Sequence, residues 1–328
     1  MKKWIALGLC LILVIVILLS IVISKNQLIE NYMLYYEMGE SITILQLTDL
    51  HVNDEETMNT SKVYIEKTIT EANPDLIVLT GDIFVYQGIN VANKLAIIEK
   101  FVNYLDSFGL KWCYVFGNHD EESGVSKNQI GNIISKAQNS LFLNLNDFVY
   151  GSSNYVVNLT NDGNTIFSLY MFDSNSYRFY LKNFDIGYDY IHSSQIKWYQ
   201  DAVAYNSING QVIPSFAFFH IPLCEFLVVY NLYSEGLVEG NGENNEDCCA
   251  PNENSGLFAK MKELGSTKAI FVGHDHINNS NLLYEGIWLC YGVKSAPTSY
   301  YDIDMLGGQK IVINNDGSFE FSRIFVTV

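Results

Sequence analysis

The chain has 328 residues, 48% hydrophobic and 17% charged, which excludes disordered and fibrous classes and suffices to bury a large core. Its net charge of −17 excludes nucleic acid as a general partner, because phosphate backbones are met by Lys and Arg. Arg178 and Arg323 are its only arginines, so a phosphorylated substrate would depend on local positive charge of the kind divalent cations supply.

The chain starts Met-Lys-Lys and continues as an uncharged apolar run from Trp4 to Ser24. Roughly 21 residues at about 1.5 Å each span a bilayer core, whereas a signal-peptide core is about 7–15 residues long. Residues 1–24 are therefore expected to form a signal anchor, a single transmembrane helix. Lys2 and Lys3 place the short N-terminus in the cytoplasm and the remainder on the lumenal or extracellular side. Cleavage and secretion is the alternative. A spacer is expected over residues 25–39, followed by one catalytic domain over 40–328.

Alternating β-like and helical patterns follow. ITILQLTDLH reads as a strand ending in Asp49 and His51. SKVYIEKTITEA reads as a helix stopped by Asn73-Pro74. DLIVLTGD is a strand ending in Asp82, and VANKLAIIEKFVNYLDSFG is an amphipathic helix closed by Gly109. CYVFGNHD is a strand ending in Asn118, His119 and Asp120, and SKNQIGNIISKA is a helix. NYVVNLT and TIFSLYMFD, joined by Asn161-Asp162-Gly163-Asn164, form a hairpin. SSQIKWYQDAVAY is a helix capped by Ser193 or Ser194, with His192 at its start. SFAFFH and AIFVGHDH are strands ending in His220 and in His274 and His276. GIWLCYGV, QKIVINN and SFEFSRIFV read as antiparallel strands with a turn at Asn315-Asp316-Gly317, and 241–254 is a polar loop. The simplest architecture is α/β: two packed mixed sheets with helices outside.

Five strand-like runs thus end in His, Asp or Asn, and parallel sheets carry their ligand sites just beyond strand C-termini. Asp49 and His51, at i and i+2 on an extended backbone, would share a face and suit one divalent ion. The Asp82 carboxylate has two oxygens and can bridge two ions about 3.5–4 Å apart. Asn118 offers a neutral carbonyl oxygen. His119 then points elsewhere, toward a bound substrate, with Asp120 placed to accept its hydrogen bond. His274 and His276 repeat the i, i+2 spacing, with Asp275 turned away. Taken singly, each motif has a bland reading as a turn, a cap or a core histidine.

The order D-x-H, G-D, G-N-H-D, H, G-H-x-H resembles the calcineurin-like metallophosphoesterase superfamily. SQIKWY, FFHIPL, NSGLF, KAIFVGHDH and GIWLCYG are similar to its purple-acid-phosphatase-like branch, over about Ile42 to Gly292. The resemblance implies a metallophosphoesterase-type two-sheet β-sandwich flanked by helices. One metal would take Asp49, His51, Asp82 and His276, the other Asp82, Asn118, His220 and His274. His119 would contact the phosphoryl group and protonate the leaving oxygen, helped by Asp120. Asn118 and His119 would bind substrate, and Arg178 could reach a phosphate. Where the purple enzymes carry a metal-bound tyrosinate, this chain has Val85, with Tyr86 one residue late, and the first motif offers His51 instead. A colourless enzyme with no required ferric iron is expected, using two divalent ions drawn from Mn, Fe(II) or Zn.

The implied function is a binuclear metal-dependent phosphoesterase acting on phosphomonoesters by attack of a hydroxide held between the ions. A phosphodiesterase or nucleotide pyrophosphohydrolase on the same centre is an alternative, and a non-catalytic membrane-anchored binding protein is another. The expected partners are a small phosphorylated substrate or phosphoprotein and a membrane. Cys113, Cys224, Cys248, Cys249 and Cys290 allow at most two disulfides, with Cys248-Cys249 as a loop disulfide site. Sequons occur at Asn59, Asn158 and Asn278.

Overall fold

The computed structural model describes residues 26–85, 90–122, 124–145, 148–181 and 184–328, together with Val14. The first half runs β1 (Met33–Glu37), β2 (Ser41–Leu47), α1 (Glu55–Ala72), β3 (Leu76–Thr80), α2 (Val91–Asp106), β4 (Lys111–Val115) and α3 (Lys127–Ile134). It continues through β5 (Tyr155–Asn161), β6 (Asn164–Met171), β7 (Tyr177–Tyr180), β8 (Asp185–Tyr188), α4 (Ser193–Asn206), β9 (Ser215–Phe218), α5 (Cys224–Ser234) and β10 (Gly240–Asn241). The last part is α6 (Leu257–Leu264), β11 (Thr267–Val272), β12 (Asn281–Tyr284), β13 (Ile287–Tyr291), β14 (Gly307–Asn314) and β15 (Phe319–Phe325).

Two mixed sheets pack face to face. One has five strands in the order β15-β14-β2-β3-β4, the other eight in the order β1-β5-β6-β9-β11-β13-β12-β10. Strand alternation explains the layering. Phe216 and Phe218 of β9 and Phe271 of β11 join Ile42, Ile44, Leu76 and Val78 of the smaller sheet in one core. Ala217, Ile270 and Val272 point the other way, against Trp198, Tyr199 and Ala202 of α4, Phe226 of α5 and Met261 of α6. Central strands such as β3 (LIVLT) and β9 (SFAF) are buried throughout, as strands covered on both faces must be.

β2, β3 and β4 are mutually parallel, and so are β9, β11 and β13. The C-termini of both sets therefore come together at one edge of the sandwich. Buried bonds clamp the sheets there. Gln46 Nε2 donates to Val272 O at 3.0 Å, and Thr48 N donates to Ser295 Oγ at 2.9 Å.

Several expectations change. Residues 33–37, read as part of a spacer, form β1 and pair in parallel with β5. GIWLCYGV does not join the C-terminal hairpin: β13 pairs with β11 and β12 in the larger sheet, while β14 and β15 belong to the smaller one. α1 starts six residues earlier than its apolar pattern, because Asp54 and Thr57 form a capping box ahead of it. His192, not a serine, occupies the N-cap of α4. The hairpin β5–β6 turns on Asp162 and Gly163, both with positive φ, as a two-residue turn of that twist requires.

The five described cysteines are free, so the loop disulfide is not present among the described residues. Asn158 and Asn278 are buried, which removes two of the three sequons from reach, while Asn59 is exposed on α1. Among the described residues, no helix is long and apolar enough to cross a membrane. The run over residues 4–24 lies, apart from Val14, outside them.

Candidate metal centre

The strand ends deliver their polar residues to one buried cluster. Asp49, His51 and His276 form one group of converging ligand atoms, and Asp82, His220 and His274 another. His51 Nε2 lies 3.0 Å from His276 Nε2 and 3.8 Å from Asp49 Oδ1. His276 Nε2 lies 3.5 Å from Asp49 Oδ1. His220 Nε2 lies 2.9 Å from Asp82 Oδ2 and 3.2 Å from His274 Nδ1. The two groups meet where Asp82 Oδ2 comes within 4.0 Å of His51 Nε2.

Each carboxylate is held by one oxygen and leaves the other facing the cluster. Asp49 Oδ2 accepts from Thr48 Oγ1 at 2.8 Å and from His274 N at 3.1 Å. Asp82 Oδ1 accepts from His119 N at 2.8 Å. Asp49 Oδ1, Asp82 Oδ2, Asn118 Oδ1 and His274 Nε2 are all buried with no hydrogen bond aligned on them. Buried polar atoms are almost always satisfied, so four orphans in one cluster point to a missing partner. The carboxylate, amide and imidazole donors of these two groups fit two divalent cations.

The outer contacts orient the rings the same way. His220 Nδ1 lies 2.8 Å from Thr80 O and His276 Nδ1 lies 3.0 Å from Tyr300 O, so each ring gives its Nδ1–H to a carbonyl and turns Nε2 to the cluster, where burial is outweighed by the Asp82 carboxylate, which pushes His220 up to about 9. Burial pushes His51 down to about 4 and His274 to about 3, keeping both imidazoles neutral. For Asp49 and Asp82, burial favours the neutral acid, but the surrounding histidines outweigh it and hold both carboxyls below the usual range.

Local backbone geometry departs from the i, i+2 argument. Asp49, His51, Asp82 and His274 have φ of 56°, 46°, 49° and 79°, in the left-handed region, not on extended strand. Non-glycine residues there cost about 1 kcal/mol or more each, strain that persists only where surroundings impose it. The glycines of the motifs are steric requirements. A Cβ on Gly117 would lie 2.1 Å from Asp82 Oδ1, and Gly81, with φ of 88°, would place one 2.6 Å from Gly117 N.

His119 stands at the mouth with its side chain 33% exposed, its Nε2 4.0 Å from Asp82 Oδ2. Its partner is not Asp120. Asp120 is buried and accepts from Gly117 N at 2.7 Å, Phe84 N at 2.9 Å and Asp82 N at 3.2 Å, tying the two ligand loops together. Burial, then the charge of Asp82, pushes it up to about 7. His119–Glu121 form a 3-10 turn, and residues three apart on such a turn face each other. Glu122 accordingly puts Oε2 2.6 Å from His119 Nδ1. Tyr177 Oη donates to Glu122 Oε1 at 3.1 Å and accepts from Asn118 Nδ2 at 2.8 Å. Reading Asp120 as the helper missed the geometry of the turn; the spacing His119 to Glu122 was the available signal.

Arg178 also departs from expectation. It lies on the face of β7 opposite Tyr177, ion-paired with Asp189 at 3.5 Å and 4.8 Å from the Tyr190 ring, directed away from Asn118. Lys294, unmarked in sequence, is buried and donates from Nζ to Asp49 O at 2.7 Å. Asp275 takes the structural place expected of it, accepting from Tyr291 Oη at 2.7 Å.

The calcineurin-like phosphoesterase family model matches residues 42–278. The Arabidopsis thaliana protein named probable inactive purple acid phosphatase 14 is 32% identical over 256 residues, 71% of this chain and 61% of that protein. Phosphatase DCR2 of Saccharomyces cerevisiae is 30% identical over 279 residues, 76% of this chain and 47% of that protein. The chain thus spans only about half to three-fifths of these relatives' lengths. The solved structure of GAP50, the anchor in the inner membrane complex of Plasmodium, aligns with a TM-score of 0.51 over 86% of this chain and 84% of that one, at 13% identity, a likeness of fold alone. With its five motifs gathered on this fold, the chain belongs to the calcineurin-like phosphoesterase family, in its purple-acid-phosphatase-like branch.

Proposed function

We propose that the protein is a phosphomonoester hydrolase dependent on two divalent cations. The observation that carries this reading is the set of orphaned, buried acceptor atoms on Asp49, Asp82, Asn118 and His274, surrounded by His51, His220 and His276. Asp49, His51, Asp82 and His276 would hold one cation, and Asp82, Asn118, His220 and His274 the other. When bound, such a pair supplies Lewis acidity and an acidified water at neutral pH. The chain's own residues do the rest. Asn118 and His119 flank the phosphoryl position. His119, held from behind by Glu122, presents Nε2 to the leaving oxygen as proton donor. Lys294 places a buried positive charge behind Asp49 and partly offsets the carboxylates.

The branch resemblance favours monoesters over diesters. Turnover of p-nitrophenyl phosphate by metal-supplemented protein, with little on bis(p-nitrophenyl) phosphate, is expected; turnover of the diester alone would refute it. A non-catalytic binding protein is the second reading, favoured by the word "inactive" in the names of several relatives. Metal-loaded protein that binds phosphate but turns over neither ester would establish it.

We also propose that residues 1–24 anchor the protein in a membrane with the domain lumenal or extracellular. Retention of the full chain in the membrane fraction after alkaline extraction tests this. A mature N-terminus beyond residue 24 would instead mark it as secreted.

A further inference from the structure

The ribbon β7–β8 is amphipathic in reverse. Tyr177 pairs with Tyr188 and Phe179 with Ile186, so these four side chains share one face. That face is open: Phe179 is 49% exposed and Ile186 67%. The opposite face turns inward, with Tyr180 buried and Arg178 on the buried Asp189. Apolar residues are ordinarily the ones a ribbon hides, and a contiguous exposed set marks a contact surface.

The open face runs into the metal centre. Tyr177 Oη holds Asn118 Nδ2, and the Tyr188 ring stands edge-on to His274 with centroids 4.4 Å apart. Tyr177 and Tyr188 stack at 5.6 Å, and Phe179 and Ile186 continue the strip outward. A phosphate seated beside Asn118 would therefore direct its ester group along this strip. The net charge of −17 opposes both an anionic lipid surface and a multiply charged leaving group.

We propose that this face is the subsite for the alcohol part of the substrate and that it selects phosphate esters with an extended apolar group. The inference rests on the phosphoesterase reading. Straight-chain alkyl phosphates test it, because lengthening from ethyl to octyl leaves the leaving-group chemistry unchanged and adds only apolar surface. For the full chain with Mn(II), kcat/KM is expected to rise at least about tenfold across the series, a fraction of what full burial of the added methylenes would give. In the double variant Phe179→Ser, Ile186→Ser the octyl-to-ethyl ratio is expected to collapse toward one. A flat series in the native protein, or a ratio unmoved by the variant, overturns the proposal.

Calorimetric binding of ethyl- and octylphosphonate separates the two readings. Chain-length-dependent binding without turnover of any ester sinks the hydrolase and keeps the subsite. Adsorption of the native protein to neutral phosphatidylcholine vesicles, lost in the variant and accompanied by a flat phosphonate series, makes the face a lipid contact and overturns the subsite.

Discussion

The buried cage and the rim at its mouth are built on different terms. Asp49, His51, Asp82, His220, His274 and His276 are all buried, four of the cluster's atoms are orphaned, and four of the carboxylate and imidazole anchors are backbone groups. His119, Glu122 and Tyr177 are partly exposed, bonded to one another through side chains. The cage is fixed by the fold itself, from two sheets at once. The rim is fixed by a single turn and a ribbon. On the proposed reading, ion holding and substrate handling should therefore separate by mutation.

The largest effect is expected in the cage. Asp82→Asn removes the charge shared by both ligand groups, so turnover should drop to background and metal content should fall by elemental analysis. A fully loaded variant would show that the cage does not depend on this carboxylate. Gly117→Ala probes the same region sterically. The Cβ must displace Asp82, at a cost of about 1–3 kcal/mol seen in denaturant unfolding, with metal lost as well.

On the rim, metal should stay. His119→Ala is expected to lower kcat by about 10²–10⁴ with unchanged metal content, and unchanged turnover would reject its role as proton donor. Glu122→Gln should cost less, about tenfold in kcat, because the ring remains but loses the carboxylate behind it. An equal loss from Asp120→Asn with intact stability would reverse the assignment of these two acids. Tyr177→Phe removes one hydrogen bond to each of Asn118 and Glu122 and should cost about fivefold in kcat/KM.

The cage was largely legible in the sequence, and the rim was not. Apolar runs closed by Asp49, Asp82, Asn118, His220 and His274 name strand ends, and parallel strands must send those ends to one side. Their order also carried the family. The left-handed backbone at Asp49, His51, Asp82 and His274 was hidden, since aspartate and histidine, though enriched there, sit mostly at negative φ. The rim depends on which side chains a tight turn brings together, and adjacency misled: Asp120 follows His119 in sequence yet lies beneath it, while Glu122 comes round to meet it. β7 and β8 are four residues each and aromatic on both faces, so no periodicity marks them. β1 was masked by the expected spacer, and Lys294 belongs to none of the five motifs.

Atoms that touch across the cluster belong to distant parts of the polypeptide; His51 and His276 are 225 residues apart. Contacts of such separation form late, after most of the chain entropy has already been surrendered. Neither sheet alone carries a complete set, so the pair requires both sheets to be brought together. Ion uptake would thus be a certificate of finished folding, and stoichiometry measured on a preparation would count the molecules that completed it.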